Sequence, residues 1–300
     1  MGSSHRRTMQ ILVLGGTGSL GTLVSDRLAT RGVAVRAVGR RDGDARDPET
    51  IIRLAAGATA IVNCAGASVA LGLSGWRGYR AVDTRIGLAA VEAANRTGAR
   101  LVYVAVHYGD AAVARCAYVD AHERVVAAMS TCKGTAVRST GLFSAYAALL
   151  PYAQRGVMID VGAGTARTNP IGDADIASIV ADEALSQHDG LRTISAGGPQ
   201  VLARREIFEH VVARAGRAAR FVRMPTWFAN LYGIGLRVVH PRLGQFMRFA
   251  ALIGSHDIIA PARGTALRGL STRGRRRADW EAVGNREAEP ELRTTEPSIA

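Results

Sequence analysis

Short apolar runs alternate along the first half of the chain with stretches whose apolar positions recur every three or four residues. QILVL at 10–14 predicts a first strand, VAVRAV at 33–38 a second, and AIVN at 60–63 a third. LVYVAV at 101–106 and TAVRS at 135–139 predict two more. Helices are expected between them. One covers about 19–31 and is stopped by Gly32, and one starts at Pro48 and runs to about Ala56. A third covers 79–97, with Ile86, Ala90, Ala93 and Ala94 on one stripe, and a fourth covers 118–131. Strands that alternate with helices pair in parallel, because each connection must cross the sheet, and both faces are then covered.

The rhythm changes after about residue 142. Asp173 is expected to cap a helix over 174–186; TISAGG, the helix RREIFEHVVARAG, the strand-like ARFVRMP and apolar helices through 225–253 follow. The expected organisation is a nucleotide-binding core over 9–142 and a smaller C-terminal substrate lobe over 143–270, from which about 168–196 returns to the core. The lobe should sit over the carboxyl ends of the strands. Residues 271–300 have little periodicity and are expected to be disordered. MGSSHRRT has no apolar h-region and is not expected to be a secretory signal.

The loop after the first strand carries chemistry. GGTGSLG places Gly15, Gly18 and Gly21 in a G-x-x-G-x-x-G pattern, interleaved with Thr17, Ser19 and Leu20, between a strand and a helix. Gly15 would permit the tight turn, Gly18 would let backbone approach a pyrophosphate, and Gly21 would allow close helix–strand packing. The free N–H groups of the helix would then face the phosphates. The fold class implied is α/β, a Rossmann-type doubly wound parallel sheet with a smaller C-terminal lobe. An NAD-preferring site places an acid at the end of the second strand to bond the ribose hydroxyls. Here that position holds Arg40 and Arg41, whose guanidinium groups suit a 2′-phosphate, so the expected cofactor is NADP(H). Asp44 and Ala45 are candidates to touch the adenine, and Ala65 and Gly66 are small residues that would let a cofactor pass the third strand.

GGTGSLG, GDARDPET, VNCAG, YRAVDTR, AVRSTGLF and TNPIGDADIA occur in that order over residues 9–270. Together they resemble the atypical and extended short-chain dehydrogenase/reductases, NmrA-like proteins included. The resemblance implies NADP(H) binding and a cleft above the nicotinamide. It also implies a Tyr-x-x-x-Lys pair on a helix with a serine nearby. In the matching segment CAYVDAHERVV, Tyr118 stands at the tyrosine and His122 at the lysine, four apart on one helix face. Lys133 is the only lysine and lies beyond this helix, and no Ser or Thr occurs from Arg100 through Met129. Tyr118 is the candidate proton donor, and His122 the candidate ribose contact or support for the tyrosine. His107, just past a strand end, is a further polar candidate.

Composition changes this picture little. Cys64, Cys116 and Cys132 lack metal-ligand spacing, and a sparse odd set suits a reducing, cytoplasmic setting. The net charge is +13, and residues 201–250 hold nine Arg against Glu206 and Glu209. That stretch is either a solvated face or a surface for an anionic partner. No nucleic-acid signature accompanies it, so no nucleic-acid partner is expected. MPTWFANLYGIGLRVVHPRLGQFMRF allows peripheral membrane contact. Two readings of function follow. One is an NADPH-dependent reductase acting on a carbonyl or activated C=C bond of a small organic molecule. The other is a non-catalytic NADP(H) sensor, for which the missing Lys and Ser speak.

Overall fold

The computed structural model describes residues 9–67 and 76–263, all within a compact unit bounded at Ala266. The expectations for residues 1–8 and 271–300 lie outside the described residues.

Six parallel strands form the central sheet in the order β2-β1-β3-β4-β5-β8. They are β1 (Gln10–Leu14), β2 (Ala34–Val38), β3 (Ala60–Asn63), β4 (Arg100–Val106), β5 (Gly134–Ser139) and β8 (Leu191–Ala196). Side chains alternate across a strand, so each strand feeds two cores. Leu12, Leu14, Ile61, Leu101 and Tyr103 pack on one face against α2 (Pro48–Leu54), α3 (Arg85–Thr97) and α5 (Ala117–Ala128). Ile11, Val13, Val62, Val102 and Val137 pack on the other against α1 (Ser19–Ala29) and α8 (Asp173–Leu185). The chain leaves β1 for β2 on one side and returns to β3 on the other. That reversal opens a crevice beyond the carboxyl ends of β1 and β3, where ligands bind in such sheets.

The predicted elements form with end shifts of a few residues, and three differences matter. The helix expected over 79–97 begins as a π-helical turn, Arg80–Thr84, before α3. Asp173 does not cap α8; Gly172 holds that position, and Asp173 instead accepts hydrogen bonds from Ser144 N and Oγ, which ties α8 to α6 (Phe143–Ala147). The side chain is drawn to an amide outside its own helix. The strand β6 (Val157–Val161) was not anticipated, because VMIDV interrupts no clear helical pattern; it pairs in parallel with β10 (Arg220–Met224).

The remaining elements are α4 (Ala111–Ala114), α7 (Leu150–Gln154), the paired two-residue strands β7 (Arg167–Thr168) and β9 (Leu202–Ala203), and α9 (Arg204–Arg214). The chain then forms a helical hairpin, α10 (Thr226–Val239) and α11 (Pro241–Ile253). Phe249 and Leu252 of α11 pack on the cluster around Val113, Cys116 and Val119, so the hairpin lies against α4 and α5.

Candidate functional site

Gly15 adopts φ +72°, and a Cβ there would meet Ala65 Cα at 2.8 Å. The loops after β1 and β3 are therefore in contact at backbone level. A Cβ on Gly21 would collide with the Gly15 carbonyl oxygen, so α1 can approach β1 only with glycine there. Gly18 differs: its Cβ would meet nothing closer than Gly15 O at 3.3 Å, so its outer side is open. Gly18 is the N-cap of α1, with φ −84° and ψ 170°, and the first intrahelical bond runs from Thr22 N to Gly18 O at 2.9 Å. The amides of Ser19, Leu20 and Gly21 precede that bond and face forward from the helix, as a helix N-terminus dictates. Thr17 and Ser19 are exposed, and Thr17 packs on Gly39, joining this loop to the end of β2. A glycine-lined cradle with free amides fits a pyrophosphate.

Beyond β2, Asp42 accepts from Gly39 N at 2.7 Å and fixes the turn. Arg40 and Arg41 are exposed, and neither makes a hydrogen bond or ion pair among the described residues. Asp44 is engaged by Arg46, which donates Nε at 2.8 Å and Nη2 at 2.7 Å; these bonds hold the Asp44 carboxyl at about 2. Ala45 is partly buried in the same turn. Asp44, Arg46, Asp47, Pro48, Arg77 and Arg85 line a depression of about 350 Å³ beside it. Sequence reading missed Arg77 and Arg85, because Arg77 precedes the π-helical turn, Arg85 opens α3, and both meet the β2 turn only in the fold.

Past β3, Asn63 Oδ1 accepts from Ala65 N at 2.9 Å, and Asp83 Oδ1 accepts from Ala67 N at 2.9 Å. A Cβ on Gly66 would stand 2.6 Å from Asp83 Oδ1, so glycine is needed for the carboxylate to reach. Asp83 lies in the π-helical turn, a distortion that recurs at functional sites. It is 3% exposed, its Oδ2 has no partner, and burial raises its pKa to about 6. The motifs YRAVDTR and VNCAG contain Asp83 and Asn63, yet sequence reading singled out neither residue. The signal available was a lone acid within an apolar helical stripe.

Asp83 connects the loops to α5. Its neighbour Thr84 donates Oγ1 to Ala121 O at 3.0 Å, and Tyr79, one turn before it, packs its ring 4.8 Å from that of Tyr118. Tyr118 also meets His122 at 5.0 Å and Phe249 at 4.9 Å, ring to ring. Burial and the nearby Asp83 carboxylate raise the Tyr118 pKa well above its usual value, so the phenol keeps its proton. Among the described residues its hydroxyl has no hydrogen-bond partner. His122 Nδ1 is 2.7 Å from Tyr103 Oη, Nε2 is buried without a partner, and burial lowers the pKa to about 4. The imidazole is neutral near pH 7, and any support it gives Tyr118 is not that of a cation.

His107 does not join this group. Its ring reaches across β5, with Nδ1 3.2 Å from Ser195 Oγ and Nε2 3.1 Å from Ile259 O. A depression of about 580 Å³ is lined by Arg223 of β10, Trp227 of α10, and Ser255 and Asp257 past α11, and it contains none of the candidate cofactor or catalytic residues. The three cysteines are free, and no cluster of metal-ligating side chains occurs among the described residues.

Residues 11–120 match the NAD dependent epimerase/dehydratase family. No curated protein matches the chain. Among solved structures, UDP-glucose 4-epimerase of Thermus thermophilus, complexed with NAD, aligns at TM-score 0.60 and 17% identity over 82% of this chain and 99% of that one. The dTDP-4-dehydrorhamnose reductase of Bacillus anthracis, complexed with NADP, aligns at 0.59 and 13% over 80% and 96%. A GDP-6-OMe-4-keto-L-xylo-heptose reductase of C. jejuni aligns at 0.57 and 13% over 73% and 87%. The structural likeness establishes the Rossmann-type fold, and the family match covers the part of it from residue 11 to residue 120. Neither singles out the NmrA-like branch.

Proposed function

We propose that the chain is an NADPH-dependent oxidoreductase that reduces a carbonyl or an activated C=C bond of a small organic molecule. The observation that carries this reading is the open Gly18 cradle beside two unpaired arginines at the end of β2. Gly15, Thr17, Gly18, Ser19, Leu20 and Gly21 would hold the pyrophosphate through backbone amides. Arg40 and Arg41 would bind the 2′-phosphate, with Arg77 and Arg85 adding positive potential nearby. Ala45 would lie near the adenine, and Ala65 and Gly66 would leave room along β3. Asp44 is committed to Arg46 and would act by shaping this turn.

A nicotinamide held there would supply hydride. Tyr118 supplies the proton, since its phenol is neutral and sits on the helix that follows the β4 loop. His122, fixed by Tyr103, positions the Tyr118 ring. A sensor without turnover is the second reading. It is favoured by the absence of a lysine on α5 and by the Phe249 ring over Tyr118.

Calorimetric titration with both cofactors tests the binding site. NADPH should bind at least tenfold tighter than NADH, about 1.4 kcal/mol. Arg40→Ala with Arg41→Ala should remove that preference and leave NADH affinity nearly unchanged. Equal affinities in the wild-type chain would refute the assignment. Anaerobic incubation with NADPH and a panel of enones, quinones, ketones and nucleoside-diphosphate 4-ketosugars separates the two readings. Nicotinamide oxidation with any of them supports the reductase, and tight binding without turnover supports the sensor.

A further inference from the structure

Helix α10 buries only Ala229 and Gly233. Trp227, Leu231, Ile234 and Val238, spaced as one helical stripe, are exposed by 66, 60, 54 and 86%. Phe228 and Tyr232 widen the stripe, their rings parallel to within 4°. Single exposed apolar residues are ordinary on a soluble protein, but a contiguous aromatic and aliphatic face is not. The opposite side of the helix is fixed. A Cβ on Gly233 would meet Gly244 O at 2.7 Å, so α10 lies flush on α11 and its outer face cannot fold away without breaking that contact.

Charge decides what fits this face. From His210 through His256 the chain has seven arginines and no Asp or Glu. Exposed Arg237 and Arg248 flank the crossing of the two helices. A second copy docked face to face would set arginines against arginines. An anionic bilayer surface offers both complements, acidic headgroups for the guanidinium groups and an acyl boundary for the apolar stripe. Trp and Tyr favour that boundary. The helix has 14 residues, and no described helix is long and apolar enough to cross a membrane, so it would lie in the interface plane.

We infer that the outer face of α10 is a docking surface for an anionic lipid bilayer.

Flotation of the full chain with vesicles tests this at 0.15 M salt. One vesicle set is neutral phosphatidylcholine, and the other includes 30% phosphatidylglycerol. The wild-type chain should float with the anionic vesicles and at least tenfold less with the neutral ones. Leu231→Glu with Val238→Glu should reduce flotation at least tenfold. Both positions are solvent-exposed, so the melting temperature should stay within a few degrees of wild type. Trp227 emission should shift to the blue on adding anionic vesicles, and Trp227→Phe should lose the shift. Absence of flotation would overturn the inference. So would equal flotation by the double variant, which would trace binding to net charge elsewhere. A wild-type dimer in sedimentation that the double variant dissociates, with no flotation, would assign the face to a second copy instead.

Discussion

In the proposed site Tyr118 and His122 stand where the resemblance implies a tyrosine and a lysine, and their surroundings set what each can do. A lysine would carry a charge toward the tyrosine and hold its pKa down. The buried imidazole carries none, and Asp83 pushes the phenol the other way. Tyr118 therefore keeps its proton at neutral pH, and under the proposed function it would act as a donor and not as a base. Removing a positioned acid costs a hundredfold or more in rate, on the order of 3 kcal/mol. Tyr118→Phe keeps the ring that packs on Tyr79 and Phe249, so it should leave NADPH affinity unchanged while cutting turnover by about that factor. Single-turnover kinetics on a confirmed substrate checks it. A wild-type rate would mean that water or substrate delivers the proton and that the tyrosine only packs.

At the scale of elements, the α10–α11 hairpin depends on two small residues. A Cβ on Gly244 would press on the Gly233 carbonyl oxygen and would stand 2.8 Å from Arg237 N, both backbone atoms that cannot rotate away. Gly244→Val should force the helices apart and cost about 1–3 kcal/mol, as overpacking does. It should also disturb the Tyr118 environment, because Phe249 follows on the same helix. Gly235 is the internal control. Nothing lies within 4 Å of its Cβ position, so Gly235→Ala should be neutral or stabilise by up to about 1 kcal/mol through helix propensity. Thermal unfolding of both variants measures the contrast. Equal effects would place the hairpin's stability elsewhere.

For the whole molecule, two buried groups make stability depend on pH in opposite senses. Asp83 titrates near 6 in the folded chain, against 3.8 for a free carboxyl. Its cost is absent below the unfolded value and grows as pH rises from about 4 to 6. His122 titrates near 4, against 6.5. Its cost is absent above the unfolded value and grows as pH falls from about 6.5 to 4. At about 1.4 kcal/mol per pH unit, each cost is about 3 kcal/mol, so as pH changes between about 4 and 6 the fall in one offsets the rise in the other and the wild-type chain shows little net slope from the pair. Asp83→Asn keeps an acceptor for Ala67 N and removes the carboxylate. It should be more stable than wild type at pH 7 and lose that advantage steadily toward pH 4. His122→Asn should show the reverse trend, with its relative stability rising toward pH 4. Urea unfolding across pH 4–7 reads both. Parallel profiles for all three proteins would mean that the two groups are solvated in solution.

The parallel sheet and its two covered faces were legible in the sequence because they rest on local periodicity. Strands that read as short apolar runs, buried on both faces, and helices with an apolar stripe form wherever the pattern is written. The turn at Gly15 and the close approach at Gly21 were legible for the same reason, since only glycine tolerates them and the spacing is fixed by one strand and one helix. Asp173 was misread as a cap because its partner, Ser144, lies 29 residues away. Asp83 was overlooked because its meaning comes from Gly66 and Ala67 across the crevice and from the π-helical turn that presents it. The neutrality of His122, the shielding of Tyr118 by Phe249 and the exposure of the α10 stripe were decided by the tertiary structure alone. Charge state and exposure depend on what surrounds a side chain, and those surroundings come from segments far apart along the chain.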